Sequence, residues 1–232
     1  RNEAFAKLRF QGDDLTRWKY QRYIKNYLRN VDGLDDSVGR VRSFLRENGL
    51  DENTMVVYTS DQGFFLGDHG WYDKCWMYEE SFRTPLIIEW PGVTQPGAVC
   101  DLLVQNIDMA ATFLDVAGQD APNAMHGRSL APLLRGEQPE RWRDALYYHY
   151  QMQEPNTRTA HLVAKHYGVR TERHKLIYFY QLGAWELYDL KKDPREMHNV
   201  VGDPANAPIV AALRRRLAEL RTEFGDETGK PF

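Results

Sequence analysis

The stretch best equipped for chemistry runs Thr59-Ser60-Asp61-Gln62-Gly63-Phe64-Phe65-Leu66-Gly67-Asp68-His69-Gly70-Trp71-Tyr72-Asp73-Lys74. Asp61 and Gln62 set a carboxylate beside an amide carbonyl. Two oxygen donors of that kind suit a hard cation such as Ca²⁺ or Mg²⁺ rather than a thiolate-seeking metal. Gly63, Gly67 and Gly70 let the backbone turn sharply and approach a ligand. Lys74 adds a point positive charge able to meet an oxyanion. A cation and an ammonium together would stabilise negative charge building up on a sulfate or phosphate ester. Each residue also has a plain structural use. An Asp at a strand end commonly forms a turn or caps a helix; Asp68 and His69 equally suit a hydrogen-bonded turn, and Lys74 a solvated surface.

The neighbouring elements must hold that loop in place. Tyr20, Tyr23, Ile24, Tyr27, Leu28 and Val31 fall at helical spacing, and Gly33 interrupts them. A second helical stretch follows, with Leu34, Val38, Val41, Phe44 and Leu45 on one face, ended by Asn48-Gly49. Met55 to Ser60 is a short, largely apolar run that suits a strand buried on both faces of a parallel sheet. Ligands of open α/β sheets lie beyond the carboxyl ends of such strands, where residues 61–75 begin. Trp76 to Arg83 suits a short helix, with Glu79 and Arg83 spaced for an ion pair. Leu86 to Trp90 reads as a second buried strand and Asn106 to Gly118 as a helix. Residues 119–140 hold several Pro and Gly and read as a long surface connection.

After residue 141 the pattern changes. Leu146 to Tyr150, His161 to Thr171, Lys175 to Tyr180 and Trp185 to Leu190 read as successive strands of an antiparallel sheet. Residues 206–224 close the chain as an amphipathic helix with Ile209, Val210, Leu213, Leu217 and Leu220 as its stripe. The expected organisation is an α/β domain over 1–140 and a smaller sheet-plus-helix subdomain over 141–232. Trp71, Trp76 and Trp90 read as core or pocket wall.

Composition closes off several classes. The 232 residues carry a formal charge of −3, without the basic excess of a nucleic-acid binder. No run approaches the ~18–20 apolar residues of a membrane span. Two cysteines make neither a disulfide framework nor a structural zinc site. Hydrophobic residues at 42% supply material for a core, so disorder is not expected.

The run from Tyr58 to Gly92, YTSDQGFFLGDHGWYDKCWMYEESFRTPLIIEWPG, resembles the sulfatase family of the alkaline-phosphatase-like superfamily. Residues 23–61, and the segments HYGVRTERHKLIYFY and WELYDLKKDPREMHNV, extend the resemblance from about residue 17 to about residue 200. The wording is most similar to iduronate-2-sulfatase-like and bacterial glycan-desulfating members. The resemblance implies the superfamily's mostly parallel sheet flanked by helices, followed by a small antiparallel-sheet-plus-helix subdomain. It implies a sulfuric ester hydrolase of a sulfated sugar or glycosaminoglycan-like substrate, outside the cytoplasm (periplasmic, secreted or lysosomal). It also implies one divalent cation, usually Ca²⁺, and a formylglycine nucleophile made from a Cys/Ser-x-Pro/Ala-x-Arg motif. By match, Asp61 and Gln62 are metal ligands and Lys74 is the catalytic lysine that contacts the sulfate. His161, His166 and Arg170 border the substrate pocket in similar enzymes, where they would hold a carboxylate or second sulfate; satisfied interstrand residues are the other reading. Cys75 and Cys100 stand in no formylglycine motif, and the family's amino-terminal Asp pair is absent. The expectation is therefore that the nucleophile lies in an N-terminal half outside this segment and that the isolated segment is inactive. The residues also suit a phosphatase or phosphonate hydrolase of the same superfamily, or a non-catalytic scaffold.

Overall fold

A computed structural model describes residues 10–152 and 163–232. Residues 12–47 form a single 36-residue helix, α1 (Gly12–Glu47), where the sequence reading expects two. Gly33 costs a helix about 1 kcal/mol, too little to stop one continued by strong helical pattern on both sides. Asp13 and Asp14 at its start and Arg46 at its end complement the helix dipole. It ends as expected: Asn48 N–H bonds to the Phe44 carbonyl, Gly49 N–H to that of Arg46, and Gly49 takes φ 63°.

Strand β1 (Val56–Thr59) leads into a small hairpin of β2 (Phe65–Leu66) and β3 (Tyr72–Asp73). Helix α2 (Glu79–Phe82) is a single turn, shorter than the expected Trp76–Arg83, and β4 (Leu86–Glu89) follows. β4 pairs antiparallel with β1, Val56 opposite Glu89 and Thr59 opposite Leu86. The sequence reading places both in a parallel sheet, buried on both faces. Instead every ladder among the described residues is antiparallel, and one side of this pair is bare, with Ile87 65% exposed. A run of Val and Ile reports strand propensity, but the partner and the covering layer are set by distant chain.

Helix α3 (Asp108–Val116) matches its expected position. The connection after it is not merely a surface loop. It contains the turn α4 (Ala131–Leu134) and buries Leu130 and Ala131, because the buried Thr112 hydroxyl of α3 accepts the Leu130 N–H. Asp108, fully buried, accepts N–H groups from Gln105 and Arg128 and a two-pronged ion pair from Arg143.

The rest is a four-stranded antiparallel meander, β5 (Ala145–Tyr150), β6 (His166–Thr171), β7 (His174–Phe179) and β8 (Ala184–Asp189), closed by helix α5 (Ala207–Glu223). Alternation gives the sheet two apolar faces. One face, with Tyr167, Val169, Leu176 and Leu187, packs on Leu213, Leu217 and Leu220 of α5. The other, with Ile177, Phe179 and Tyr188, packs on Phe65, Met77 and Tyr78 from the loop that follows β1. Gly168 makes this approach possible, since a Cβ there would stand 2.5 Å from the Met77 sulfur. The chemically equipped loop is therefore pressed onto the sheet. No helix among the described residues is long and apolar enough to cross a membrane.

Candidate active site

Asp61 and Gln62 directly follow β1. The Ser60 hydroxyl donates to the Gln62 carbonyl at 2.9 Å and lies 3.4 Å from Asp61 Oδ1. The next residue must be glycine. A Cβ at Gly63 would meet the carbonyl oxygens of Glu80 at 2.2 Å and Arg83 at 2.7 Å, and its N–H bonds to the Ser81 carbonyl at 2.9 Å. The candidate metal pair is thus locked against the far end of its own loop.

Lys74 is positioned by unusual backbone. Its neighbours Asp73 and Cys75 have φ of 82° and 88°, in the left-handed region. For residues with a Cβ such conformations cost about 1–3 kcal/mol each and persist where surrounding structure enforces them. The enforcement is visible: Cys75 N–H donates to the buried Ser81 hydroxyl at 3.0 Å, and the Tyr148 hydroxyl donates to the Cys75 carbonyl at 3.2 Å. No residue type at 73 or 75 signals this strain, so the sequence reading missed it. Both cysteines are free thiols.

Asp61, Gln62 and Lys74 border one open cleft of about 2050 Å³, together with Glu79, Arg83 and Arg170. Asp68 and His69 belong to the turn reading. Asp68 Oδ2 accepts the Leu66 N–H at 3.4 Å, and the His69 ring stacks on Tyr78 with its Nε2 3.4 Å from Glu80. Among the described residues no group of three or more His, Cys, Asp or Glu side chains is arranged to hold a metal. Asp61 and Gln62 offer two hard oxygens. Their chemistry fits Ca²⁺, but they would make up only part of the six to eight oxygens it takes.

The three candidate substrate contacts of the later region part company. Arg170 borders the cleft. His161 lies outside the described residues. His166 does not reach the cleft: it is fully buried, Nδ1 bonds to the Ala164 carbonyl at 2.7 Å, and its ring lies among Trp76, Tyr150 and Phe179. Burial pushes its pKa down to about 4, against the pull of that carbonyl, so the ring is neutral near pH 7 and offers no charge to a sulfate. Strand alternation put His166 on the right face but gave no depth.

The expected Glu79–Arg83 pair is not formed. Helix α2 stops at Phe82, Arg83 is extended, and the i, i+4 geometry is lost. Glu79 instead pairs with Lys175 at 2.8 Å and with Arg170 at 3.5 Å. Lys175 is fully buried on β7 and also pairs with Glu196 at 2.8 Å. The signal for Lys175 was a lysine at an inward position of an apolar strand, because a lysine is almost never fully buried without a partner.

A family profile described as "Sulfatase" matches residues 3–119, and one described as "N-sulphoglucosamine sulphohydrolase, C-terminal" matches residues 67–223. N-acetylglucosamine-6-O-sulfatase of Bacteroides thetaiotaomicron is 44% identical over 225 residues, covering 96% of this chain and 40% of the relative. A solved structure of a protein in complex with its substrate, D-glucosamine-2-N,6-O-disulfate, superposes with a TM-score of 0.92 at 43% identity, covering 98% of this chain and 46% of that one. A phosphonate monoester hydrolase from Silicibacter pomeroyi superposes with a TM-score of 0.75 at 35% identity, covering 84% of this chain and 40% of that one. The chain thus spans about two fifths of the length of the curated relative.

Proposed function

The chain belongs to the sulfatase family, and on that premise we propose that it builds part of the active site of a sulfuric ester hydrolase acting on a sulfated sugar. The reading is supported above all by one observation: Asp61, Gln62 and Lys74 border the same cleft. The sulfated glucosamine bound by a 43% identical neighbour suggests the substrate class. Lys74 is assigned to the sulfate group, where its ammonium would oppose charge developing on the non-bridging oxygens. Its neighbours Asp73 and Cys75 are held in left-handed backbone, which fixes the path of the main chain where Lys74 joins the cleft lining. Asp61 and Gln62 would hold a divalent cation, Ca²⁺ in the family's usual case, which supplies Lewis-acid polarisation of the sulfate when bound. The nucleophile is assigned to a formylglycine outside this chain, which would supply the covalent chemistry. Arg170 is assigned to an anionic group elsewhere on the sugar. The expected setting is extracytoplasmic.

Phosphonate or phosphate ester hydrolysis is the second reading, favoured by the likeness to a phosphonate monoester hydrolase. The full-length gene product, given glucosamine 6-O-sulfate, an aryl phosphate and a phosphonate monoester in parallel, separates the two. Sulfate release at a kcat/KM at least about tenfold above the other esters is expected. Preference for a phosphorus ester would replace the sulfatase assignment.

A further inference from the structure

The two arms of the candidate site are fastened to one residue that neither the cation nor the sulfate assignment uses. Ser81 lies in the short turn α2 and is buried. Its carbonyl accepts the Gly63 N–H at 2.9 Å, and its hydroxyl oxygen accepts the Cys75 N–H at 3.0 Å. Gly63 is the residue after Gln62, and Cys75 is the residue after Lys74. Ser81 therefore holds the main chain one peptide beyond the paired oxygens and one peptide beyond the lysine. The two clasps differ in chemistry. The acceptor for Gly63 is main chain and survives a change of side chain at 81, whereas the acceptor for Cys75 is the hydroxyl and does not.

A serine in a helix commonly turns its hydroxyl back on a carbonyl of its own turn. The Ser81 oxygen reaches outside its turn, to a residue whose φ of 88° lies in the left-handed region. The turn that carries it is itself fixed to the C-terminal sheet. The Glu79 N–H donates to buried Glu196 at 2.7 Å, and the Glu79 carboxylate pairs with buried Lys175 at 2.8 Å. Phe82 packs edge-on against Tyr148, 5.4 Å between ring centroids, and the Tyr148 hydroxyl donates to the Cys75 carbonyl at 3.2 Å. Both peptide groups of Cys75 are thus held from the same side of the molecule that anchors α2.

We infer that Ser81 is a positioning residue of the site: it sets the spacing between the main chain at Asp61-Gln62 and the main chain at Lys74, and its hydroxyl serves the Lys74 arm alone. The inference rests on the sulfatase reading. A displacement of about 1 Å in a group that meets substrate can cost on the order of a hundredfold in rate. Loss of one clasp is therefore read in turnover.

The test uses the full-length gene product, with glucosamine 6-O-sulfate as substrate and Ca²⁺ as the cation probe. The readouts are kcat for sulfate release, the Kd for Ca²⁺ by titration calorimetry, and thermal melting as the check on folding. Ser81→Ala keeps the carbonyl and removes the hydroxyl, which leaves the Cys75 N–H without its acceptor. In this variant kcat should fall about tenfold while the Kd for Ca²⁺ stays within about twofold. Added to Lys74→Ala, the same change should cost less than about twofold more, because a residue that acts through Lys74 has little left to act on. Where Ser81→Ala does not fold, Ser81→Cys, whose sulfur is a weak acceptor, carries the same readouts. Three results overturn the inference: kcat within about twofold of wild type, a Ca²⁺ Kd weakened in step with kcat, or the same fold loss with and without Lys74. Wild-type protein that binds no Ca²⁺ or releases no sulfate, or a Lys74→Ala variant that turns over at the wild-type rate, defeats instead the sulfatase reading on which the inference rests.

Discussion

Two long helices in this chain carry the same kind of apolar stripe and meet opposite fates. Helix α5 lays Leu213, Leu217 and Leu220 onto a four-stranded sheet, and all three are buried. Helix α1 is twice as long and buries no residue; Leu28, Val31, Leu34, Val41 and Phe44 are each more than two fifths exposed. Its contacts with the candidate-site loop include Tyr23 against Tyr72, Tyr27 against Phe64, and Tyr20 near Gly67. An amphipathic pattern therefore specifies a helix and a face, while burial depends on a complementary layer elsewhere in the chain. The site loop spans both regimes. Its Phe65, Met77 and Tyr78 sit in the packed core, whereas Asp61 and Gln62 emerge from the sparse β1–β4 pair.

The comparison can be broken at its strongest point. Asp108 and Arg143 form a buried pair that ties α3 to the approach to β5. Arg143→Ala leaves the Asp108 carboxylate buried without its counter-ion and should cost about 3–5 kcal/mol; equilibrium denaturant unfolding checks it. In the packed region, Leu217→Ala removes a fully buried side chain and should cost about 2–5 kcal/mol by the same measurement. The matched change in the sparse region, Leu34→Ala, should stay within about 0.5 kcal/mol. Equal costs for the two leucines would mean that α1 is packed in solution.

A pH series sharpens the contrast further. Burial lowers the folded-state pKa of His166 to about 4, from the ordinary 6.5. The unfolded chain therefore takes up the proton first. The contribution is fully present above pH 6.5 and is lost as pH falls from 6.5 to about 4, amounting to about 3 kcal/mol at most. His166→Phe should flatten that limb of the stability curve. Asp226 acts lower on the scale. Burial would raise its carboxyl, but bonds from Thr228, Tyr147 and His149 outweigh burial and hold it well below the usual range. Its stabilisation is present above pH 4 and lost as pH falls further. Asp226→Asn should therefore leave the slope of the curve near pH 7 unchanged and abolish this more acidic limb.

Sequence legibility followed the same division. The meander and α5 could be read because each element advertises a period, two for β5–β8 and 3.6 for the helix, and neighbours in sequence are neighbours in space. The candidate loop stood out because its residue types are local: paired oxygens, three glycines and a lysine within fourteen residues, Asp61 to Lys74. The rest required distant partners. Nothing near Val56 says that its partner is Glu89 rather than a parallel neighbour. Nothing near Glu79 says that Glu196, 117 residues on, will accept its N–H, or that Lys175 will outcompete the nearby Arg83 for its carboxylate. The left-handed turns at Asp73 and Cys75 were hidden because glycine, their usual marker, is absent.

Asp61 carries the central claim, since it is the one carboxylate assigned to the cation beside Lys74. Sulfate release from a 6-O-sulfated glucosamine by the full-length gene product, wild type against Asp61→Ala, tests it directly. Loss of more than about a hundredfold in kcat with an unchanged melting temperature is expected, on the scale of removing one preorganised electrostatic partner from an active site. Turnover retained within a few fold by the folded variant would contradict the assignment.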